Sequence, residues 1–245
     1  METRVLLQST SCKTPFRIDG RKPSETRHLV CRVGVFEQAD GSAYFKIGNT
    51  QVLATVYGPH DTRGRSKVNP EKAVINCKYN MSTFSKTTRK NLPKGDYRSI
   101  EISNNLTQIF DSAILTELYP HSQVDIYLEV IQSDGSDYAA CVNAASLAVI
   151  HAGIPIKDIV CACSAGFIDN QPITDVNGIE ESSNNTPTLT VAMLPKDKQI
   201  LSMESSGKIH LDNLIDVMDA AIEGCKSVLY VMKQTILTHI QELKE

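Results

Sequence analysis

The chain has 245 residues, enough for a substantial core in one large domain or two tightly packed halves. It is 41% hydrophobic and 22% charged with a formal net charge of −3, which excludes a protein that coats nucleic acid over its whole surface. The 25 Lys and Arg still leave room for a local basic patch, and no apolar run approaches the roughly 20 residues that span a bilayer.

In chain order, residues 1–16 are polar and irregular and read as an arm, followed by one compact unit over residues 17–245. Residues 29–36, 43–47 and 51–57 are short, β-rich segments parted by the turn sequences Ala39-Asp40-Gly41-Ser42 and Gly48-Asn49-Thr50. A loop carrying Arg63, Arg65 and Lys67 leads to a fourth strand at 73–79, and a second basic loop, 85–94, carries Lys86, Arg89 and Lys90. Ile100, Leu106, Ile109, Phe110, Ala113, Ile114 and Leu118 recur at helical spacing up to Pro120. Val124, Ile126, Leu128 and Val130 then alternate as in a strand, which ends at the turn Ser133-Asp134-Gly135-Ser136-Asp137-Tyr138.

Small residues from Ala139 to Ile150 predict a buried helix after that turn. Further strands are expected at 159–168, 188–194 and 199–203, and Leu211, Leu214, Ile215, Met218, Ile222, Cys225, Leu229, Met232 and Ile236 mark the apolar stripe of a long last helix. Strands fall in two groups, each followed by helix, without regular β-α alternation. That order predicts an α+β fold.

Seven scattered cysteines and an opening METRVLLQST without signal-peptide character predict reduced thiols in a nuclear or cytosolic compartment. Cys161-Ala162-Cys163 puts two thiols on one face of a strand, but no His or Cys pair lies close in sequence, so buried thiols and no metal are expected. Phosphate-loop, dinucleotide, nucleophile-elbow and zinc-protease motifs are absent, and the six His residues stand apart from one another in sequence.

Three features remain. The two basic loops read either as solvated loops or as a track for a nucleic-acid backbone, with Arg98 adding a fixed guanidinium at the next helix start. The segment from Thr174 to Glu181 is either an ordinary acidic loop or a carboxylate set that holds Mg²⁺ or protonates a leaving oxygen. The strand-turn-helix at 133–138 aims backbone N–H groups outward as an anion site does, yet it holds Asp137, a carboxylate expected to cap the helix and repel phosphate.

Taken jointly, Phe16-Arg17-Ile18-Asp19-Gly20-Arg21, Val56-Tyr57-Gly58-Pro59, Arg98-Ser99-Ile100-Glu101-Ile102 and Asn143-Ala144-Ala145-Ser146-Leu147-Ala148 resemble the RNase PH family. Cys161-Ala162-Cys163-Ser164-Ala165-Gly166-Phe167 is similar to subunits of the eukaryotic exosome ring, animal type. The resemblance covers nearly the whole chain. It implies a duplicated βαβ-type fold with mixed sheets, a six-membered ring of RNase PH-like subunits, S1/KH cap subunits, an associated hydrolytic ribonuclease, single-stranded RNA as ligand, and residence in nucleus, nucleolus and cytoplasm. In active members one phosphate-binding arginine precedes a helix, and Arg98 matches it. A second ends a D-[GA]-G-[ST]-R turn, where this chain has Tyr138 after Asp137. Of two flanking acids, Asp175 matches the first and Glu181 replaces the second.

Losing one charge-assisted partner costs about 2–4 kcal/mol. The expectation is therefore a non-catalytic, RNA-binding subunit without cofactor, in which Arg98, Asp175 and Glu181 are vestigial. The rival expectations are a phosphate-dependent 3′ exoribonuclease using Asp175 and Arg98, with phosphate or Mg²⁺, and a purely architectural subunit.

Overall fold

Thr50, Val52, Ala54 and Val56 are fully buried while Gln51, Leu53 and Thr55 between them stay half-exposed. That period of two is the signature of a strand with one face on a core. A computed structural model describes residues 17–61, 70–89, 96–168, 171–182, 186–242 and 244. The expected arm, the first basic loop with Arg63, Arg65 and Lys67, and Lys90 lie outside those residues.

The first half comprises β1 (Leu29–Val33), β2 (Gly41–Ile47), β3 (Thr50–Asp61), β4 (Val74–Met81), α1 (Tyr97–Ala113), β5 (Ser122–Gln132) and α2 (Asp137–His151). The strands form one sheet in the order β1-β2-β3-β5-β4. All neighbours are antiparallel except β4 and β5, whose parallel pairing requires a crossover that α1 supplies. The second half comprises β6 (Cys161–Ile168), β7 (Gln171–Thr174), α3 (Gly178–Ser182), β8 (Thr188–Leu194), β9 (Gln199–Ser206) and α4 (Leu211–Glu242). Its sheet is antiparallel throughout, in the order β7-β6-β8-β9.

α2 lies between the sheets, touching β2, β3 and β5 on one side and β6 and β8 on the other. Tyr138 to Val149 are all buried, so this helix has no solvent face and its residues are chosen for size. Its Ala, Ser and Cys residues let both sheets approach closely, and one core of buried side chains runs from β2 through α2 to β6, β8 and α4. A buried polar group also registers the two halves: the Asn143 amide donates to Ala162 O (2.9 Å) and accepts from Ala162 N (2.8 Å).

The expected helix through Leu118 ends earlier, at Ala113. Ile114 turns extended and bridges to Ile156, while Leu115 N donates to Pro155 O, so tertiary pairing overrides the helical spacing. β1 stops at Val33 because Gly34 adopts a left-handed φ of 74°. β7 and α3, four and five residues long, carry no apolar period and were not expected.

Gly41 shows how tightly α2 is held. A Cβ there would lie 2.2 Å from the Ala148 carbonyl oxygen and 2.7 Å from Ala152 Cβ, whereas a Cβ on Gly153 meets nothing within 4 Å. Gly41→Ala is expected to destabilise the fold by about 3 kcal/mol or more, and Gly153→Ala, whose φ of +71° adds only local strain, by about 1 kcal/mol. Urea midpoints of the two variants, if equal, would contradict this.

Candidate functional site

The turn that follows β5 is held from below by a buried ion pair. Arg27 is 7% exposed and Asp175 0%. Arg27 Nε donates to Asp175 Oδ2 (2.8 Å), Nη2 to Oδ1 (2.7 Å), and the Arg27 backbone N–H to Oδ2 (2.8 Å). The same guanidinium donates from Nη1 to Asp134 O (2.7 Å) and from Nη2 to Gly135 O (3.3 Å). Thr50 completes the clamp, its hydroxyl donating to Gly135 O (2.8 Å) and accepting from Asp134 N (3.0 Å). Burial alone would raise the Asp175 pKa, but the hydrogen bonds and charge of Arg27, with Arg21 adding charge, hold it below the ordinary carboxylate range.

Residues 17–21 bind the same loop. Arg17 pairs with buried Glu180 and donates to Asp175 O (2.8 Å), and Arg21 lies 3.6 Å from Asp175 Oδ2. Asn177 and Glu180 cap α3 reciprocally: Asn177 Oδ1 accepts from Glu180 N (2.8 Å), and Glu180 Oε2 accepts from Asn177 N (3.0 Å). Gly135 is required where this loop presses on the turn, because a Cβ would meet Asn177 C and Gly178 N at 2.7 Å. Ser136 is left-handed (φ 58°), and its hydroxyl meets Ser164, Val176 O and Asp175.

Above the turn, a cleft opens between the two sheets. Lys86, Asp96, Arg98 and Ser99 line one wall; Ser136, Asp137 and Tyr138 line the α2 end; Glu181, Thr188, Thr190, Glu204 and Ser206 line the other wall. Asp137 is the first residue of α2 and not its cap. Its Oδ2 accepts from the Ser133 hydroxyl (2.5 Å) and lies 3.9 Å from Lys86 Nζ, while Oδ1 is enclosed without a hydrogen-bond partner among the described residues. Tyr138 is buried (9% exposed), and burial pushes its phenol up to about 12, with Ser202 opposing. Burial also raises the Glu204 pKa, opposed by Arg98 and reinforced by Glu101. Two cations, Lys86 and Arg98, thus face four carboxylates, Asp96, Asp137, Glu181 and Glu204.

The cleft brings together Lys86, Arg98 and Glu181, and Arg89 stands exposed on the adjoining loop. Asp175 does not line it; its carboxylate sits beneath the turn, fully engaged by Arg27. Positions for Arg63, Arg65, Lys67 and Lys90 fall outside the described residues. Cys161 and Cys163 pack under α4, Cys161 Sγ lying 3.9 Å from Met232 Sδ, and burial raises both thiol pKa values. Arg27 and Glu204 were not singled out from the sequence, and Glu180 entered only as a member of the acidic segment 174–181. The Asn177-x-x-Glu180 capping spacing was a legible sign of α3, but the partnership of Arg27 with Asp175 spans 148 positions and has no local signal.

Residues 25–155 match the 3′ exoribonuclease family, domain 1, and residues 158–224 match domain 2 of the same family. The chain is 49% identical to the exosome complex component RRP41 of Mus musculus over 228 residues, 93% of each protein. The crystal structure of rice (Oryza sativa) Rrp46 superposes with a TM-score of 0.78 at 26% identity, covering 89% of this chain and 99% of that one. An Archaeoglobus fulgidus exosome solved with RNA bound to its active site contains a chain of the same fold, with a TM-score of 0.76 at 22% identity, covering 88% of this chain and 92% of that one.

Asp175→Asn leaves the buried Arg27 guanidinium without its counter-charge, and about 3–5 kcal/mol of stability is expected to be lost at pH 7. Because the folded-state pKa of Asp175 is lowered, its contribution is present above about pH 4 and is lost as pH falls through the folded value. The stability gap between wild type and Asp175→Asn should therefore hold steady above about pH 5 and close below about pH 4. A gap that closes only above neutral pH in denaturant titrations would contradict this role.

Proposed function

Because the chain belongs to the 3′ exoribonuclease family, that of RNase PH, we propose that it is a non-catalytic, RNA-binding core subunit of an exosome ring, guiding single-stranded RNA to an associated hydrolytic ribonuclease. Its partners on this reading are other RNase PH-like subunits in a six-membered ring and S1/KH cap subunits, in nucleus, nucleolus and cytoplasm. It needs no cofactor of its own.

One observation carries the reading: the carboxylate of Asp137 lies in the cleft beside Lys86 at the start of α2. Phosphorolysis requires cations that hold inorganic phosphate against the phosphate of the RNA chain. Asp137, 3.9 Å from Lys86 Nζ, offsets part of its charge, and the buried Tyr138 supplies a phenol where the family resemblance calls for a guanidinium. Arg98 alone is left to gather phosphate, against the remaining carboxylates Asp96, Glu181 and Glu204. Asp175 adds nothing to acid catalysis on this reading, because its carboxylate is held ionised and out of the cleft by Arg27.

RNA binding rests on the cations that remain available. Arg98 and Arg89 are exposed, and Arg98 makes no ion pair among the described residues. Arg63, Arg65, Lys67 and Lys90, cations of the same two sequence segments, are the further candidates for contacts to a single-stranded backbone.

Two measurements test this. The assembled complex, without its hydrolase, should release no nucleoside diphosphate from 3′-extended RNA in phosphate buffer. Release that disappears in Arg98→Ala and Glu181→Ala would make the chain an active phosphorolytic enzyme. Reversing Arg89 and Lys90 to Glu should weaken single-stranded RNA binding and lower the slope of log K against log salt by about 1.4; an unchanged slope would leave an architectural subunit.

A further inference from the structure

We propose that Phe84 and Tyr97 are base-stacking posts on which unpaired RNA bases rest as the backbone passes Lys86, Arg89 and Arg98; this rests on the RNA-binding reading above. Phe84 is 72% and Tyr97 82% exposed, and among the described residues only Tyr230 on α4, at 67%, has a comparably bare aromatic ring. Isolated exposed apolar residues are ordinary on protein surfaces. These two are not isolated in that sense, because they bracket one cationic loop: Phe84 stands two residues before Lys86, and Tyr97 directly precedes Arg98. Both of those cations line the cleft.

The rings are also mounted on anchored backbone. Ser85, next to Phe84, is 5% exposed; its N–H donates to Ser82 O (3.0 Å), and its carbonyl accepts from Ser133 N (3.0 Å) at the end of β5. Tyr97 is the first residue of α1, where Ile100 N donates to Asp96 O (3.1 Å). A ring held out on fixed backbone loses little freedom when a base stacks on it, and every base presents a π-face, so such posts tolerate any sequence. The neighbours Thr87, Thr88, Arg89 and Arg98 are polar and exposed, unlike the charge-depleted centre of a protein interface. Ile100, half-exposed one turn beyond Tyr97, makes a neighbouring subunit the competing occupant.

The test uses the chain in its assembled native complex, with two probes of equal length: a single-stranded oligoadenylate and an abasic ribose-phosphate oligomer. Wild type should bind the oligoadenylate more tightly. Phe84→Ala with Tyr97→Ala should lower oligoadenylate affinity by at least about five-fold, at low and high salt alike, and leave the abasic oligomer unchanged. Phe84→Tyr with Tyr97→Phe should bind as wild type does. Unchanged oligoadenylate affinity in the Ala variant, or an equal loss on both probes, would overturn stacking while leaving RNA binding intact. A double Ala variant that folds but fails to enter the complex on size exclusion would assign the rings to a protein interface and overturn it too. Wild type that binds neither probe would overturn both this inference and the reading it rests on.

Discussion

The ion pair between Arg27 and Asp175 is the constraint on which the arrangement of the cleft depends. Two buried charges are costly to remove from water, and the pair persists because the remaining donors of Arg27 are used on the carbonyls of Asp134 and Gly135. One guanidinium therefore joins the segment before β1, the turn before α2 and the turn after β7. The left-handed Ser136 and the close approach of Gly135 to Asn177 follow from that convergence.

This has a direct consequence for chemistry. The acid that the family pattern places at the site serves as a counter-charge inside the fold, held ionised by its partner. The surface left to a ligand is made instead by Lys86, Arg98, Asp137, Glu181 and Glu204. There the carboxylates outnumber the cations, and the start of α2, whose dipole favours an anion, already has one in Asp137. On the reading proposed above, a cleft of that charge disfavours free phosphate. Its cationic rim, with Arg89 and Arg98 exposed, still suits a polyanion that binds at many points at once.

Most of the fold was legible because its elements carry strong local periods. β8 matches its expected bounds of 188–194, and the alternation around β5 and the stripe along α4 placed both elements. α2 was recognised from small residues, although its amphipathic signal is weak, since a helix buried on all sides shows no polar face. β7 and α3 escaped because each is only four or five residues long with a single isoleucine, too short to define a period. The overrun of α1 beyond Ala113 came from apolar residues at helical spacing that pair with residues 155–157 instead. His151 and His239, 88 positions apart, bring their ring centroids to 5.3 Å; nothing local to either foretells it.

The sequence by itself determined the α+β class, the family resemblance, the cationic character of residues 85–90 and the absence of an arginine after Ser136. These are properties of composition, spacing and motif, all readable along the chain. Only the tertiary structure decided that Asp175 lies beneath the turn with Arg27, that Lys86 is matched by Asp137, and that Glu204 closes the cleft from the second sheet. The physical reason is that burial and charge pairing depend on which distant segments meet. A carboxylate in water and one locked to a buried guanidinium are the same letter in the sequence.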